Sequence, residues 1–252
     1  MIEAHHTGLA DLVFRPYIMS LFRRHFYAIH LLGDIPRFDP ALPLILSPNH
    51  SSWWDGFFVY LLNKKIIKRR AFLMMLEEQL WKNRFFRYLG AYSIDPASMT
   101  KTRESIDYTL DLIGEKSGPA RMLCIFPQGE LLPWGTRPLV FKKGLELIFK
   151  KIDRSVILCP LAIKIEFLAQ QRPQVFFLFG ECRIIEPGFK FSVREAEEEH
   201  ENLLNELSGY ITNRKSGAVI FRGRASVDEV YGRIRRRWLG TKCDKRGKSD
   251  ET

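Results

Sequence analysis

His50 and Asp55 stand five positions apart in Asn49-His50-Ser51-Ser52-Trp53-Trp54-Asp55. A neutral imidazole is the natural proton acceptor near neutral pH, and a carboxylate bonded to its other ring nitrogen fixes the tautomer and steadies the imidazolium that forms. The pair could therefore strip a proton from a hydroxyl that attacks an acyl or similar electrophile. The same letters support a plainer reading. Ser52-x-x-Asp55 has the form of a capping box, in which Asp55 completes a helix start and His50 is a loop histidine satisfied by backbone. Spacing alone leaves both readings open, because a His with an Asp five residues on is common by chance. A second stretch, Phe126-Pro127-Gln128-Gly129-Glu130, has a proline and a glycine that let backbone approach a ligand at a strand end.

The elements that must position these groups follow from periodicity. The apolar run Leu42, Leu44, Ile45, Leu46 reads as a buried strand ending at Pro48, directly before His50, and Phe57 to Leu62 continues as an apolar helix. Phe72–Leu76, Gly90–Ile94, Met122–Phe126, Val156–Phe167 and Ala218–Phe221 read as strands. Val175–Leu178 with Cys182–Ile185 suggests a hairpin or two consecutive strands. Glu77–Leu89, Thr100–Ile113, Gly144–Lys150, Phe191–Asn213 and Val227–Trp238 read as helices. Residues 8–32 alternate apolar and basic side chains at the spacing of one or two amphipathic helices, suited either to packing on the domain or to lying in a membrane interface. Alternating strands and helices predict an α/β fold with a mixed, largely parallel sheet flanked by helices. The expected organisation is an N-terminal amphipathic helical segment over 1–35, one domain over 36–240 and a disordered basic tail over 241–252.

Composition narrows the classes. The chain has 252 residues, 46% hydrophobic and 27% charged, and forms a globular domain with a substantial core. Its net charge of +10 favours nucleic acid, an anionic membrane or an acidic protein. No nucleic-acid motif accompanies the basic clusters at Lys64–Arg70 and Arg233–Arg237, so nucleic acid is set aside and solvated faces are the plain alternative. The four cysteines lack metal-ligand spacing, which predicts reduced core thiols, a cytosolic setting and no metal. Acidic Glu3 precedes any apolar run, which argues against a signal peptide, and no uncharged apolar stretch approaches the ~20 residues of a membrane span.

Taken as a string, Asn49-His50-x-Ser52-x-x-Asp55 resembles the first signature of the glycerol-phosphate and lysophosphatidic acid acyltransferase family. Phe126-Pro127-Gln128-Gly129-Glu130 is similar to the family's Phe-Pro-Glu-Gly-Thr/Ser, Phe141-Lys142-Lys143-Gly144 to its Phe-Lys-x-Gly, and Cys159-Pro160-Leu161-Ala162-Ile163 to its Val-Pro-Val/Ile. The resemblance runs over roughly residues 40–165. It implies that His50 deprotonates an acceptor hydroxyl, that Asp55 orients His50, and that the hydroxyl attacks an acyl thioester. Ser51 and Ser52 are not nucleophiles in that scheme. It further implies that Gln128, Gly129, Glu130, Lys142 and Lys143 contact the acceptor. Trp53, Trp54 and Phe57 are candidates to line an acyl groove, although each serves equally as core. The donor would be acyl-CoA or acyl carrier protein, with no cofactor. The setting would be the inner face of the cell membrane, held peripherally.

The departures concern the acceptor. Where the family has Gly-x-x-Phe-Ile-x-Arg, with the arginine on the acceptor's phosphate, this chain has Gly90-Ala91-Tyr92-Ser93-Ile94-Asp95-Pro96. Proline cannot replace a bidentate cation, and Asp95 repels a phosphate. Gln128 and Glu130 also differ from the pattern. The expectation is a neutral acceptor, such as a sugar hydroxyl of a glycolipid or glycosylated carotenoid. The alternative is lysophosphatidic acid, with Arg137, Lys142 or Lys143 supplying charge. A Ser-His-Asp hydrolase lacks a Gly-x-Ser-x-Gly elbow, and a non-catalytic membrane-binding protein would have no need of both His50 and Asp55.

Overall fold

The computed structural model describes residues 1–115 and 119–243, without the side chains of 237–243. Nine strands form one sheet, in the order β4-β3-β5-β2-β6-β7-β1-β9 with β8 beside β6. β4 (Ala91–Ile94), β3 (Ala71–Leu76), β5 (Met122–Cys124), β2 (Leu44–Pro48) and β6 (Val156–Glu166) are successively parallel. β7 (Gln174–Phe179) runs against β6, β1 (Ala28–Leu32) is parallel to β7, and β9 (Ala218–Arg222) closes the edge antiparallel to β1. The sheet is mixed and mostly parallel, as the alternation of elements predicts.

β2 shows why the centre reads as an unbroken apolar run. Leu44 and Leu46 face α1 (Gly8–His25) and α2 (Asp55–Leu62), while Ile45 faces α4 (Met99–Gly114) and α5 (Gly144–Phe149). A parallel strand covered on both faces has no polar side to present. α6 (Val193–Thr212) covers β6 and β7 through Leu203, Leu204 and Leu207. α3 (Glu77–Lys82) follows β3 directly, and α7 (Val227–Cys243) ends the described chain.

Several expectations are corrected. Residues 28–32 are not helical. They form β1, paired with β7 and β9 in the sheet, so the N-terminal segment shares the core of the domain. Its first part is α1, which buries Phe14, Ile18 and Phe22 in the core, about 1.5–3 kcal/mol each, while Leu9, Leu12, Val13 and Tyr17 stay exposed on the other side. The expected helix over 77–89 is α3 followed by a separate 3-10 turn, Arg84–Leu89, broken at the non-helical Asn83. Of the two readings of Val175–Leu178 with Cys182–Ile185, the consecutive strands hold, as β7 and β8 (Arg183–Ile185), and the hairpin does not. The two strands lie end to end along one edge of β6. Because Leu158 pairs with Arg183, the next residues, Cys159 and Cys182, face each other, and they are joined in a disulfide with Cα atoms 4.3 Å apart rather than reduced. Cys124 is free and buried. Helix α7 continues through Cys243, past the expected start of the tail at 241, and the rest of that tail lies outside the described residues.

Candidate active site

The parallel strands all deliver their carboxyl ends to one edge of the sheet. β2 ends at Pro48, and Asn49 turns the chain. Asn49 is buried, and its amide makes two bonds to the backbone of Ile163 on β6: Nδ2 donates to the carbonyl at 3.1 Å and Oδ1 accepts from the N–H at 2.7 Å. Its Nδ2 also reaches the Ser51 Oγ at 3.0 Å. This amide pins the loop that carries His50 to the neighbouring strand.

His50 Nδ1 donates to Asp55 Oδ2 at 3.0 Å. That bond fixes the tautomer and leaves the Nε2 lone pair as the proton acceptor. Asp55 is 1% exposed and its carboxylate is fully engaged. Oδ2 also accepts the backbone N–H groups of Ser51 at 2.7 Å and Ser52 at 2.8 Å, and Oδ1 accepts the Ser52 hydroxyl at 2.6 Å. The capping-box reading and the proton-transfer reading are thus one geometry: the carboxylate that folds back on the helix start is the one that holds the imidazole. The other face of His50 stacks on Phe126, with centroids 4.1 Å apart and planes at 23°. The His50 side chain keeps 23% of its surface open, which leaves a path to Nε2.

Gln128 is not open to a ligand. It is 2% exposed, and its Oε1 accepts the backbone N–H of His50 at 2.6 Å, so it holds the His50 loop and is not placed to meet an acceptor. Gly129 adopts φ +70°, and a Cβ there would come within 2.8 Å of Lys142. Glu130 and Lys142 face each other across this turn at 3.1 Å, both exposed. Lys143 is exposed at the start of α5. The loop that continues from Glu130 is tied back to the site: Leu132 N–H donates to the His50 carbonyl at 3.0 Å, and Trp134 Nε1 donates to the Ile163 carbonyl at 2.9 Å. Asn49, Phe126 and the positioning role of Gln128 were not assigned by the sequence. The signal was present only as a polar residue on each side of a buried strand end.

The candidate groove residues divide. Trp54 packs into the core against Phe22, Phe26 and Phe58. Trp53 is 63% exposed and meets Phe57 edge-on at 4.7 Å. Phe57 in turn contacts Phe86 and Phe14, the latter on the buried face of α1.

At the carboxyl ends of β3 and β4, Glu77 and Asp95 share Lys101. Its Nζ lies 2.6 Å from Glu77 and 3.2 Å from Asp95, and buried Ser93 donates its hydroxyl to Glu77 at 3.1 Å. The Lys101 ammonium, hydrogen-bonded to Glu77, holds that carboxyl below its ordinary range. Pro96 follows Asp95 on this edge. β4 lies three strand spacings from β2, about 14 Å.

A carboxylate-oriented histidine at the strand ends of an α/β domain has the geometry to abstract a proton in a group transfer. The acyltransferase family model matches residues 26–164, more than half of the chain, and the chain belongs to the acyltransferase family. It is an enzyme of that class. The fold is similar to that of PlsC, the 1-acyl-sn-glycerophosphate (LPA) acyltransferase of Thermotoga maritima, with TM-score 0.50 and 19% identity over 83% of each chain. No curated protein matches the chain. No helix among the described residues is long and apolar enough to cross a membrane.

Proposed function

We propose that this acyltransferase moves a fatty acyl group from an acyl thioester to a hydroxyl of a membrane lipid whose headgroup is uncharged. His50 Nε2 takes the acceptor's O–H proton as the oxygen attacks the thioester carbonyl carbon. The tetrahedral intermediate collapses with loss of the thiolate, which recovers the proton from the imidazolium. Asp55 orients the ring and stabilises its charged form. Trp53 and Phe57 guide the acyl chain toward α1, whose exposed Leu9, Leu12, Val13 and Tyr17 rest on the bilayer.

The observation that carries the acceptor assignment is the edge at β3 and β4. Pro96 stands where the family signature has its arginine, and the nearby cations are already held by carboxylates: Lys101 by Glu77 and Asp95, and the Met1 ammonium by Glu77 at 3.8 Å. Carboxylates accept hydrogen bonds from hydroxyls and repel a phosphate. The second reading is lysophosphatidic acid as acceptor, favoured by the exposed Lys143 beside the Gly129 turn. The test compares acyl transfer by the purified protein to a neutral glycolipid and to lysophosphatidic acid. Selective turnover of lysophosphatidic acid overturns the neutral-acceptor reading. His50→Ala and Asp55→Asn should each lower turnover by about 10²–10⁴-fold without loss of fold, and a wild-type rate in either removes the pair from the mechanism.

A further inference from the structure

Among the described residues, α7 presents an exposed apolar stripe. Val227, Val230, Tyr231 and Ile234 are 65%, 45%, 67% and 53% exposed. Their spacing, i, i+3, i+4 and i+7, gathers them on one helix face about 100° wide. The opposite side is fixed to the domain. Glu229, about 200° around the helix from Val227, accepts the Tyr27 hydroxyl at 2.5 Å and the Ser226 backbone N–H at 3.1 Å. Tyr27 follows α1 directly, so the root of α7 is anchored while the stripe is turned away from the core.

The charge around the stripe is one-signed beyond the first turn. Arg233 and Arg235 flank it on either side, Arg236 lies behind, and all three are exposed. Asp228 and Glu229 are confined to the first turn. Exposed apolar side chains lined by arginines match the boundary of a bilayer with anionic headgroups: the stripe enters the acyl region and the guanidinium groups pair with lipid phosphates. We infer that α7 is a lipid-binding element for anionic bilayers, separate from the exposed face of α1 and independent of which acceptor the site uses. It gives the enzyme a second point of attachment, rooted at Tyr27 just after α1.

Vesicle sedimentation of the full-length protein tests this, with phosphatidylglycerol/phosphatidylcholine vesicles against phosphatidylcholine alone. Tyr231→Ser/Ile234→Ser should weaken partitioning about tenfold on both. Arg233→Gln/Arg235→Gln/Arg236→Gln should abolish the preference for phosphatidylglycerol. Neither should alter the melting temperature, since these side chains are exposed, and Leu9→Ser/Leu12→Ser reports the α1 contribution separately. Unchanged binding in both α7 variants overturns the inference. So does a protein that sediments as a dimer through the stripe and binds vesicles equally well when the stripe is removed. Acyl transfer to a short-chain soluble acceptor is measured in parallel, so that failure of lipid binding and failure of the catalytic reading are read on different axes.

Discussion

Gln128 spends its side-chain oxygen on the backbone N–H of His50, at 2.6 Å and out of solvent. Where the family pattern has glutamate, this chain has a neutral amide, which holds the backbone at His50 without a second charge beside the imidazole. Removing the acceptor in Gln128→Ala leaves a buried N–H unpaired, at about 1–3 kcal/mol, and should lower stability and turnover together. Gln128→Glu keeps the acceptor and adds a negative charge, which favours protonated His50. Its pH–rate profile should show the acid limb displaced to higher pH, with turnover recovered in alkaline buffer. An unmoved limb would mean that residue 128 does not act on the base. The His50–Asp55 pair was legible in the sequence because the whole interaction is local: five residues fold one carboxylate onto two backbone N–H groups and a ring. The role of Gln128 was not, since it exists only once β5 is laid beside β2 and residues 78 positions apart meet.

α6 lies outside the stretch matched by the family model, yet it holds the loop that leaves the Gly129 turn. Glu197 accepts the Phe141 N–H at 2.7 Å and Glu201 accepts the Leu139 N–H, while Leu139 and Phe141 bury themselves against Leu203 and Leu207. Two carboxylates thus clamp the segment ending at Lys142 and Lys143. Glu197→Ala/Glu201→Ala should raise the acceptor KM several-fold with little change in kcat, and the Gln pair, which still accepts both N–H groups, should restore it. Equal loss in the Gln variant would show that charge rather than the hydrogen bond matters. His200, between them, is buried without a partner for Nε2, and burial pushes its imidazole down to about 4. The unfolded chain binds that proton near 6.5, so the stability tied to neutral His200 is complete above about pH 6.5 and is lost as pH falls toward 4, on the order of 3 kcal/mol across the window. Urea denaturation at pH 7 and pH 5 should show a drop that His200→Leu removes. At this scale the sequence was read well where periodicity was long, as in α4 and α6, and misread where it was short. Ala28–Leu32, four apolar residues around His30, fits either helix or strand, and only β7 and β9, far along the chain, decide it.

The whole molecule separates its work between two surfaces. The carboxyl edge of the sheet holds the base, the Gly129 turn and the Glu77–Lys101–Asp95 cluster, while α1 turns Leu9, Leu12, Val13 and Tyr17 outward. Trp53 and Phe57 lead from beside His50 to Phe14, which lies with Ile18 and Phe22 on the buried face of that helix. Four large apolar side chains on one exposed face fit the proposed contact with a bilayer. The consequence is a dissociation of activities. Leu12→Gln/Tyr17→Gln, altering only exposed positions, should cut turnover of an acceptor embedded in vesicles by about tenfold, the partition free energy of two apolar groups of this size being worth at least one decade. Turnover of a short-chain, water-dispersed acceptor should be unchanged, because His50 and Asp55 are untouched. With a net charge of +10, added salt should weaken the vesicle reaction further when the lipid is anionic and leave the dispersed reaction alone. Parallel loss on both acceptors would place α1 in the scaffold of the site and remove it from the bilayer contact.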